Sequence, residues 1–145
     1  MTCVLSHSAR TPVHWIDRRR GAVAESAKGG RQREVKTTGD GFLAVFDGAG
    51  RAVRAAIDMK ASSRAIGLEI RAGVHTGEIE LAGDDVRGVA VHEAARIAAA
   101  ASAGEFLVSS TTHQLATGAG LSFEERGLRE LKGLSGARPL YAVAE

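Results

Sequence analysis

The stretch Val35–Phe46, VKTTGDGFLAVF, predicts a β-hairpin with an acidic residue at its tip. A run that is rich in β-branched residues leads into Gly39-Asp40-Gly41, and an apolar run follows. Two such runs around a glycine turn are typical of a hairpin, so we predict strands over Glu34–Thr38 and Phe42–Asp47. The flanking glycines permit positive φ and leave space around the carboxylate of Asp40.

Strand and helix patterns continue along the rest of the chain. Apolar residues at helical spacing predict helices over Gly50–Ile66 and Val89–Ala101. The other predicted elements are the strand Leu68–Thr76 with its hairpin partner Glu78–Ala82, the strand Phe106–Ser109, a helix capped by Ser110 and ending at Thr117, and the late strands Ser122–Glu125, Leu128–Lys132 and Leu140–Val143. Because hairpins prevail over strict strand–helix alternation, we predict an α+β sandwich with helices on one face of a mainly antiparallel sheet.

Composition is typical of one globular domain. The 145 residues are 44% hydrophobic but only 4% aromatic, so the core must be built largely from aliphatic side chains. No apolar run approaches the roughly 20 residues of a membrane span, and the first residues lack the apolar middle of a secretory signal. Cys3 is the only cysteine, which excludes an internal disulfide and a cysteine metal cluster. We therefore expect a cytoplasmic protein without a membrane partner.

Charge is distributed unevenly along the chain. Residues 1–33 hold seven Lys/Arg and two Asp/Glu, whereas residues 34–145 hold twelve and fifteen. We therefore divide the chain into a divergent basic N-terminal segment, 1–33, and a second unit, 34–145. A basic arm can contact nucleic acid. Since no aromatic residues interleave with these arginines, we interpret the arm as a solvated segment and expect no nucleic-acid partner.

Asp40 and Lys36 each admit a structural and a functional interpretation. An aspartate at a hairpin tip commonly bonds its own backbone, and a lysine on a strand is commonly exposed. Alternatively, a carboxylate on a tight, open turn is a suitable ligand for a hard metal ion that also meets phosphates and water. The hairpin alone does not decide between these interpretations.

The stretch GDDVRGVAVHEAARIAAA, residues 83–100, places three more candidates around one helix. His92 and Arg96 are four residues apart and so share a helix face, and Asp85 lies in the turn that leads into the helix. Together they could line a cleft, although Arg96 taken alone could be a surface charge. His92-Glu93 begins a zinc motif of the HExxH type, but arginine at position 96 excludes it.

Two further residues are weaker candidates. Lys132 precedes Gly133 in LRELKG, where a lysine can reach a phosphate or simply be exposed in a turn. His75 lies at a strand end in AGVHTGE, and we interpret it as a hydrogen-bonded structural histidine. No nucleophile-elbow, Walker A or dinucleotide-binding glycine motif is present.

Four stretches in order, VKTTGDGFLAVF, RAGVHTGEIE, GDDVRGVAVHEAARI and LRELKG, closely resemble the catalytic domain of class III nucleotidyl cyclases, the adenylate and guanylate cyclases. The resemblance runs from about Arg33 to Ala144. It implies a ferredoxin-like sandwich and a reaction in which the 3′-oxygen of a nucleoside triphosphate attacks the α-phosphorus and pyrophosphate leaves. It also implies two divalent ions, Mg²⁺ or Mn²⁺, at a site between the subunits of a head-to-tail dimer.

The resemblance implies roles for the hairpin residues and for Asp85. Asp40 matches the second of two metal-binding aspartates. Lys36 and Asp85 match the pair that reads the base. A lysine donating to adenine N1 and an aspartate accepting from the exocyclic amine favour ATP over GTP, because guanine presents N1–H and a carbonyl there.

The resemblance also implies roles for the other candidates. Arg96 matches the arginine that neutralises charge on the α-phosphate. Lys132 matches the lysine on the terminal phosphates. His92 stands where the family usually has an asparagine that orients the ribose, and a neutral imidazole can donate or accept one such hydrogen bond. The implied partners are ATP and a second cyclase domain, in a homodimer or a heterodimer.

The chain departs from the family before Arg33. The family's first strand ends in the other metal-binding aspartate, whereas Thr2–Ser8, TCVLSHS, has a faintly similar shape and no carboxylate. We therefore expect an N-terminally truncated or altered member of the family. Three functions stay open: an adenylate cyclase that forms cyclic AMP, a catalytically impaired half-site that binds ATP and pairs with a complete cyclase domain, and a non-functional remnant.

Overall fold

The computed structural model describes residues 2–8, 32–38, 41–65, 67, 69–82 and 85–144. Its strands are β1 Thr2–Ser8, β2 Gln32–Thr38, β3 Gly41–Phe46, β4 Arg71–Gly77, β5 Glu80–Ala82, β6 Asp85–Arg87, β7 Phe106–Ser109, β8 Phe123–Glu130 and β9 Ala137–Val143. Its helices are α1 Ala49–Ala65, α2 Val89–Ala100 and α3 Ser110–Thr117. None of these described helices has both the length and the apolar character that crossing a membrane requires.

Seven of the described strands form one sheet in the order β2-β3-β1-β4-β7-β9-β8, and β5 pairs with β6 in a separate hairpin. Only β4 and β7 pair in parallel within the described sheet, and the other neighbours are antiparallel. The predicted α+β class with a mainly antiparallel sheet is confirmed.

The helices cover both faces of this sheet. Ala72 and Val74 of β4 pack in one cluster with residues of α1 and α3, among them Val53 and Ala116. The intervening Gly73 faces α2, which packs on the opposite side. This placement departs from the prediction of helices on one face. The reason is that β3 and β7 are apolar at consecutive positions, so both of their faces need cover.

Three local pairings also differ from prediction. The segment Glu80–Ala82 pairs with β6 rather than with β4, because both edges of β4 are taken by β1 and β7. The N-cap of α3 is Ser109, one residue before the predicted cap. The late strands Ser122–Glu125 and Leu128–Lys132 form one strand, β8, with an irregularity between Glu125 and Leu128.

Strand β1 was not predicted as an element, yet it lies at the centre of the sheet. Val4 pairs with Val45 of β3 on one side and with His75 of β4 on the other. The first strand therefore shares a sheet with the rest of the chain. The functional division at residue 33 stays a prediction, as do the roles given to residues on either side of it.

Candidate functional site

Helix α2 has a buried face and an exposed face, and the exposed face holds two candidates. The buried residues are Ala90, Ala94, Ile97 and Ala98. His92 and Arg96 are both exposed, one helical turn apart. Small alanine side chains let the helix lie close to the sheet, while the histidine and the arginine remain available to a ligand or to a partner subunit.

Lys132 is held near the same helix by the residue before it. Leu131 is 4% exposed and packs in a cluster with Ile97 of α2 and with Leu140 of β9. Lys132 itself is exposed in the turn after β8. Because Ile97 follows Arg96 and Leu131 precedes Lys132, membership of one apolar cluster brings the backbones of the two predicted phosphate-binding residues to the same part of the molecule.

The strands that hold the predicted base-reading pair lie beside each other. Lys36 is on β2, where it pairs with Leu43 of β3, and Asp85 begins β6. Strand β6 lies close to β2 although the two belong to different sheets. Their side chains fall outside the described residues, as does the whole of Asp40.

The described residues do not fit a two-carboxylate metal site. Strand β1 ends at Ser8, which pairs with Gly41, the residue that follows Asp40 in the sequence. The sequence there is His7-Ser8, without Asp or Glu. Among the described residues, no three His, Cys, Asp or Glu side chains are grouped so that they could hold a metal ion. Asp40 is left as the one predicted metal ligand.

A polar chain that the sequence did not predict lies beneath α2. The Nε2 atom of His75 is 2.5 Å from Oε2 of Glu93, and the other oxygen of Glu93 accepts a hydrogen bond from Arg138 at 2.9 Å. The Nδ1 atom of His75 is 2.8 Å from Oγ of Ser109. These side chains line a cavity of about 100 Å³. The interpretation of His75 as a hydrogen-bonded structural histidine is confirmed, but Glu93, Ser109 and Arg138 were missed.

Burial is the main influence on the charge of His75. The side chain of His75 is 12% exposed, and its desolvation lowers the pKa below the ordinary value of 6.5. The carboxylate of Glu93 acts to raise this pKa, and the Arg138 charge acts to lower it. The imidazole is therefore neutral at pH 7, and the carboxylate fixes its tautomer by accepting from Nε2–H.

Hydroxyl groups extend the chain into the start of α3. The Oγ of Ser109 accepts from the backbone N–H of Thr112 at 3.3 Å, which caps the helix. The hydroxyl of Thr112 lies 3.0 Å from that of Thr76 and 3.1 Å from that of Ser109. The hydroxyl groups of Ser109, Thr112 and Thr76 thus bond within the fold rather than being offered to a ligand.

A wider cleft, of about 400 Å³, lies at the other end of β9. Glu105 and Arg126 face each other there at 2.9 Å, and Arg126 also bonds Glu124. Burial acts to raise the pKa of Glu105, but the hydrogen bonds from Arg126 and Ser102 outweigh it and lower that pKa. Of the predicted site residues whose side chains the structure describes, which are His92, Arg96 and Lys132, none lines this cleft.

Comparison with known proteins gives one family. The family model described as the adenylate and guanylate cyclase catalytic domain matches residues 14–144. An uncharacterised protein of Mycobacterium tuberculosis is 34% identical over 90 residues, which are 62% of this chain and 31% of that protein. A Rhizobium meliloti protein named "Putative adenylate cyclase 3" is 31% identical over 118 residues, 75% of this chain and 20% of its own length. The chain thus spans less than a third of these relatives.

Solved structures share the fold along the whole chain. The adenylate/guanylate cyclase/hydrolase of Silicibacter pomeroyi superposes with a TM-score of 0.79 at 24% identity, covering 100% of this chain and 97% of that one. The catalytic core of a rhodopsin-guanylyl cyclase with converted specificity, solved in complex with ATPαS, gives a TM-score of 0.80 at 26% identity. That match covers 99% of this chain and 94% of the other.

Proposed function

The chain belongs to the family of adenylate and guanylate cyclase catalytic domains, and on that premise we propose that it converts ATP to 3′,5′-cyclic AMP and pyrophosphate. The proposed site lies between two subunits, in a homodimer or with another cyclase domain. The observation that carries the proposal is the placement of His92 and Arg96 on the exposed face of α2, with Lys132 held near them through Leu131.

The choice of ATP rests on Lys36 and Asp85. Strands β2 and β6 lie side by side, which supports a shared role for the two residues that these strands contribute. A lysine donates to adenine N1 and an aspartate accepts from the exocyclic amine, whereas guanine offers the opposite pattern at both positions. We therefore expect kcat/KM for ATP to exceed that for GTP, and Lys36→Ala to reduce the preference.

The phosphate chemistry rests on the three exposed cationic or polar residues. Arg96 supplies positive charge where negative charge develops on the α-phosphate, so its effect is largest in the transition state. Lys132 binds the terminal phosphates, and loss of its charge is expected to raise KM. His92 orients the ribose by one hydrogen bond to its imidazole ring.

Divalent metal ions would, in this proposal, activate the 3′-oxygen and hold the triphosphate. Asp40 is the residue that would bind them, and β1, whose last residue pairs with Gly41, contains no Asp or Glu. This mismatch favours a second candidate function, a half-site. In that case the chain supplies the ATP-binding half of the site and pairs with a cyclase domain that supplies both aspartates. The residues of that half are Lys36, Asp85, Arg96 and Lys132.

Cyclic AMP formation by the purified chain tests the proposal. ATP is supplied with Mg²⁺ or Mn²⁺, and Asp40→Ala and Arg96→Ala are compared with Arg64→Ala, which removes an exposed helical arginine from α1. We expect Arg96→Ala to lower kcat by about 10²-fold or more, as for other preorganised charges. Arg64→Ala should retain activity.

The two candidate functions predict different outcomes. An active chain that loses activity in both site variants supports the cyclase. The half-site is supported if the folded chain is inactive alone but restores activity to a second cyclase domain. In that second domain the corresponding lysine and arginine site residues have been replaced. If the folded chain neither forms cyclic AMP, nor restores it, nor binds ATP, both candidates are wrong.

A further inference from the structure

We propose that Glu93 is a positioning residue that fixes helix α2 against the sheet and thereby sets the directions of His92 and Arg96. It acts through a continuous chain, Arg138–Glu93–His75–Ser109, to which neither the sequence motifs nor the family resemblance gave a role. The effect on catalysis rests on the proposed function, whereas the fixing of α2 by Glu93 is independent of it.

The first support is the position of Glu93 on α2. It follows His92 directly and precedes Arg96 by less than one turn. Its side chain is 12% exposed, whereas His92 and Arg96 are exposed. The helix therefore turns one acidic side chain inward between two outward-facing candidates, and any rotation of α2 that buries or releases Glu93 must also move the other two.

The second support is that the inward carboxylate is held by separate strands. Its Oε2 bonds His75 of β4 and its Oε1 bonds Arg138 of β9. Strand β7 lies between β4 and β9, and its last residue, Ser109, bonds the far side of the His75 ring. Three adjacent strands thus each supply one group, and the carboxylate ties the helix directly to β4 and β9 and, through His75, to β7.

The third support is the direction of the hydrogen bonds. An ionised Glu93 only accepts, so Nε2 of His75 must be the protonated nitrogen and Nδ1 must accept. The hydroxyl of Ser109 then donates to Nδ1 while its oxygen accepts from the N–H of Thr112. The hydrogen bonds among Glu93, His75, Ser109 and the N–H of Thr112 are thus mutually consistent in one arrangement of protons, which favours one position for α2.

Ser109, His75 and Glu93 follow the order of groups in a serine hydrolase, but this serine is not placed as a nucleophile. Its side chain belongs to a residue that is 9% exposed, and its oxygen is occupied as the cap of α3. The chain is therefore better suited to holding elements together than to attacking a substrate.

The expected consequence is a loss in kcat that operates through Arg96. A small displacement of a charge that acts in the transition state can reduce rate by about 10²-fold. We expect Glu93→Ala to lower kcat for cyclic AMP formation by about 10²-fold with little change in KM, and Glu93→Gln to have a smaller effect because the amide keeps the shape. Glu125→Ala, which removes an exposed carboxylate from β8, is the matched control.

A comparison of combined variants separates positioning from mere loss of folded protein. If Glu93 acts by positioning His92 and Arg96, then Glu93→Ala adds no further loss in kcat once His92→Ala and Arg96→Ala are both present. If Glu93→Ala only unfolds a fraction of the molecules, the two losses multiply. Multiplying losses, or an unchanged kcat in Glu93→Ala, overturn the proposal.

A measurement without activity keeps the proposal testable when the chain forms no cyclic AMP. Ring ¹⁵N shifts should report His75 as the Nε2–H tautomer, and residual dipolar couplings should show α2 reoriented relative to β4 in Glu93→Ala but not in Glu125→Ala. An inactive chain with this reorientation refutes cyclase activity and leaves the positioning role standing. Unchanged α2 couplings in Glu93→Ala refute the positioning role whether or not the chain is active.

Discussion

Gly73 of β4 lies in direct backbone contact with α2 at Ala98. A Cβ atom placed on Gly73 would be 2.4 Å from the Ala98 nitrogen and 2.5 Å from the Ala94 carbonyl oxygen. Real side chains do not approach backbone atoms so closely, so the glycine sets how near the helix comes to the sheet. Any side chain at position 73 must push α2 outward, together with the residues on its exposed face.

Gly73→Ala is expected to destabilise the protein by about 1–3 kcal/mol or more, the usual result of overpacking at a site that cannot yield. Gly118→Ala is the matched control, since nothing lies within 4 Å of its added methyl and its φ is −68°. The measurement is the free energy of unfolding from urea denaturation. Equal stabilities for the two variants would contradict the close contact.

Leu131→Ala is expected to lower the free energy of unfolding by about 2–5 kcal/mol, because Leu131 is 4% exposed in the cluster with Ile97. Leu128→Ala removes the same atoms from a residue that is 69% exposed, so its change should stay within about 0.5 kcal/mol. Urea denaturation of the two variants provides the comparison. A small loss for Leu131→Ala would mean that the turn holding Lys132 is not anchored through this contact.

Ser109→Ala is expected to destabilise the protein by about 1–3 kcal/mol. The substitution removes the cap of α3 and leaves Nδ1 of His75 without its donor. Ser122→Ala, at an exposed serine before β8, serves as the control. Thermal and urea unfolding should give the same result. An unchanged stability in Ser109→Ala would show that the hydrogen bond between Ser109 and His75 does not stabilise the protein.

Stability is expected to fall as the solution is acidified through the titration range of His75. Burial lowers the pKa of folded His75 below its ordinary value of 6.5, so the unfolded chain binds the proton more readily. The contribution of His75 to the free energy of unfolding is complete above about pH 7, and it is lost as pH falls through 6.5 toward the pKa of the folded state. His75→Asn should lack this dependence of the free energy of unfolding on pH, whereas His92→Asn should keep it. Unfolding free energies between about pH 8 and pH 5 measure the difference.

The elements with strong local signals were predicted well. The bounds of α1, α2 and β7 agree with prediction to within a residue or two, because apolar periodicity and glycine punctuation are local properties. Strand β1 was missed since Thr2–Ser8 mixes small and polar residues and forms a strand only by pairing with β3 and β4. The partner of Glu80–Ala82 was wrong because pairing depends on which strand edges remain free.

The candidate site likewise contains residues that sequence motifs predicted and residues that they did not. His92, Arg96 and Lys132 were proposed from motifs, and the structure gives all three exposed positions, the first two on α2 and the third in the turn after β8. From the sequence, Glu93 was considered only as part of a zinc motif, which was excluded. Its partners His75, Ser109 and Arg138 come from three different strands, so no spacing rule could have connected them.

Local patterns and motifs in a fixed order were enough to assign the family, the α+β class and the candidate residues. That α2 covers the second face of the sheet, and that the inward-facing carboxylate of Glu93 ties it there, follows only from the folded arrangement. The physical reason is that strand order, and therefore which charges meet in a low-dielectric interior, is set by long-range pairing. Local sequence determines how each element begins and ends, but not which elements become its neighbours.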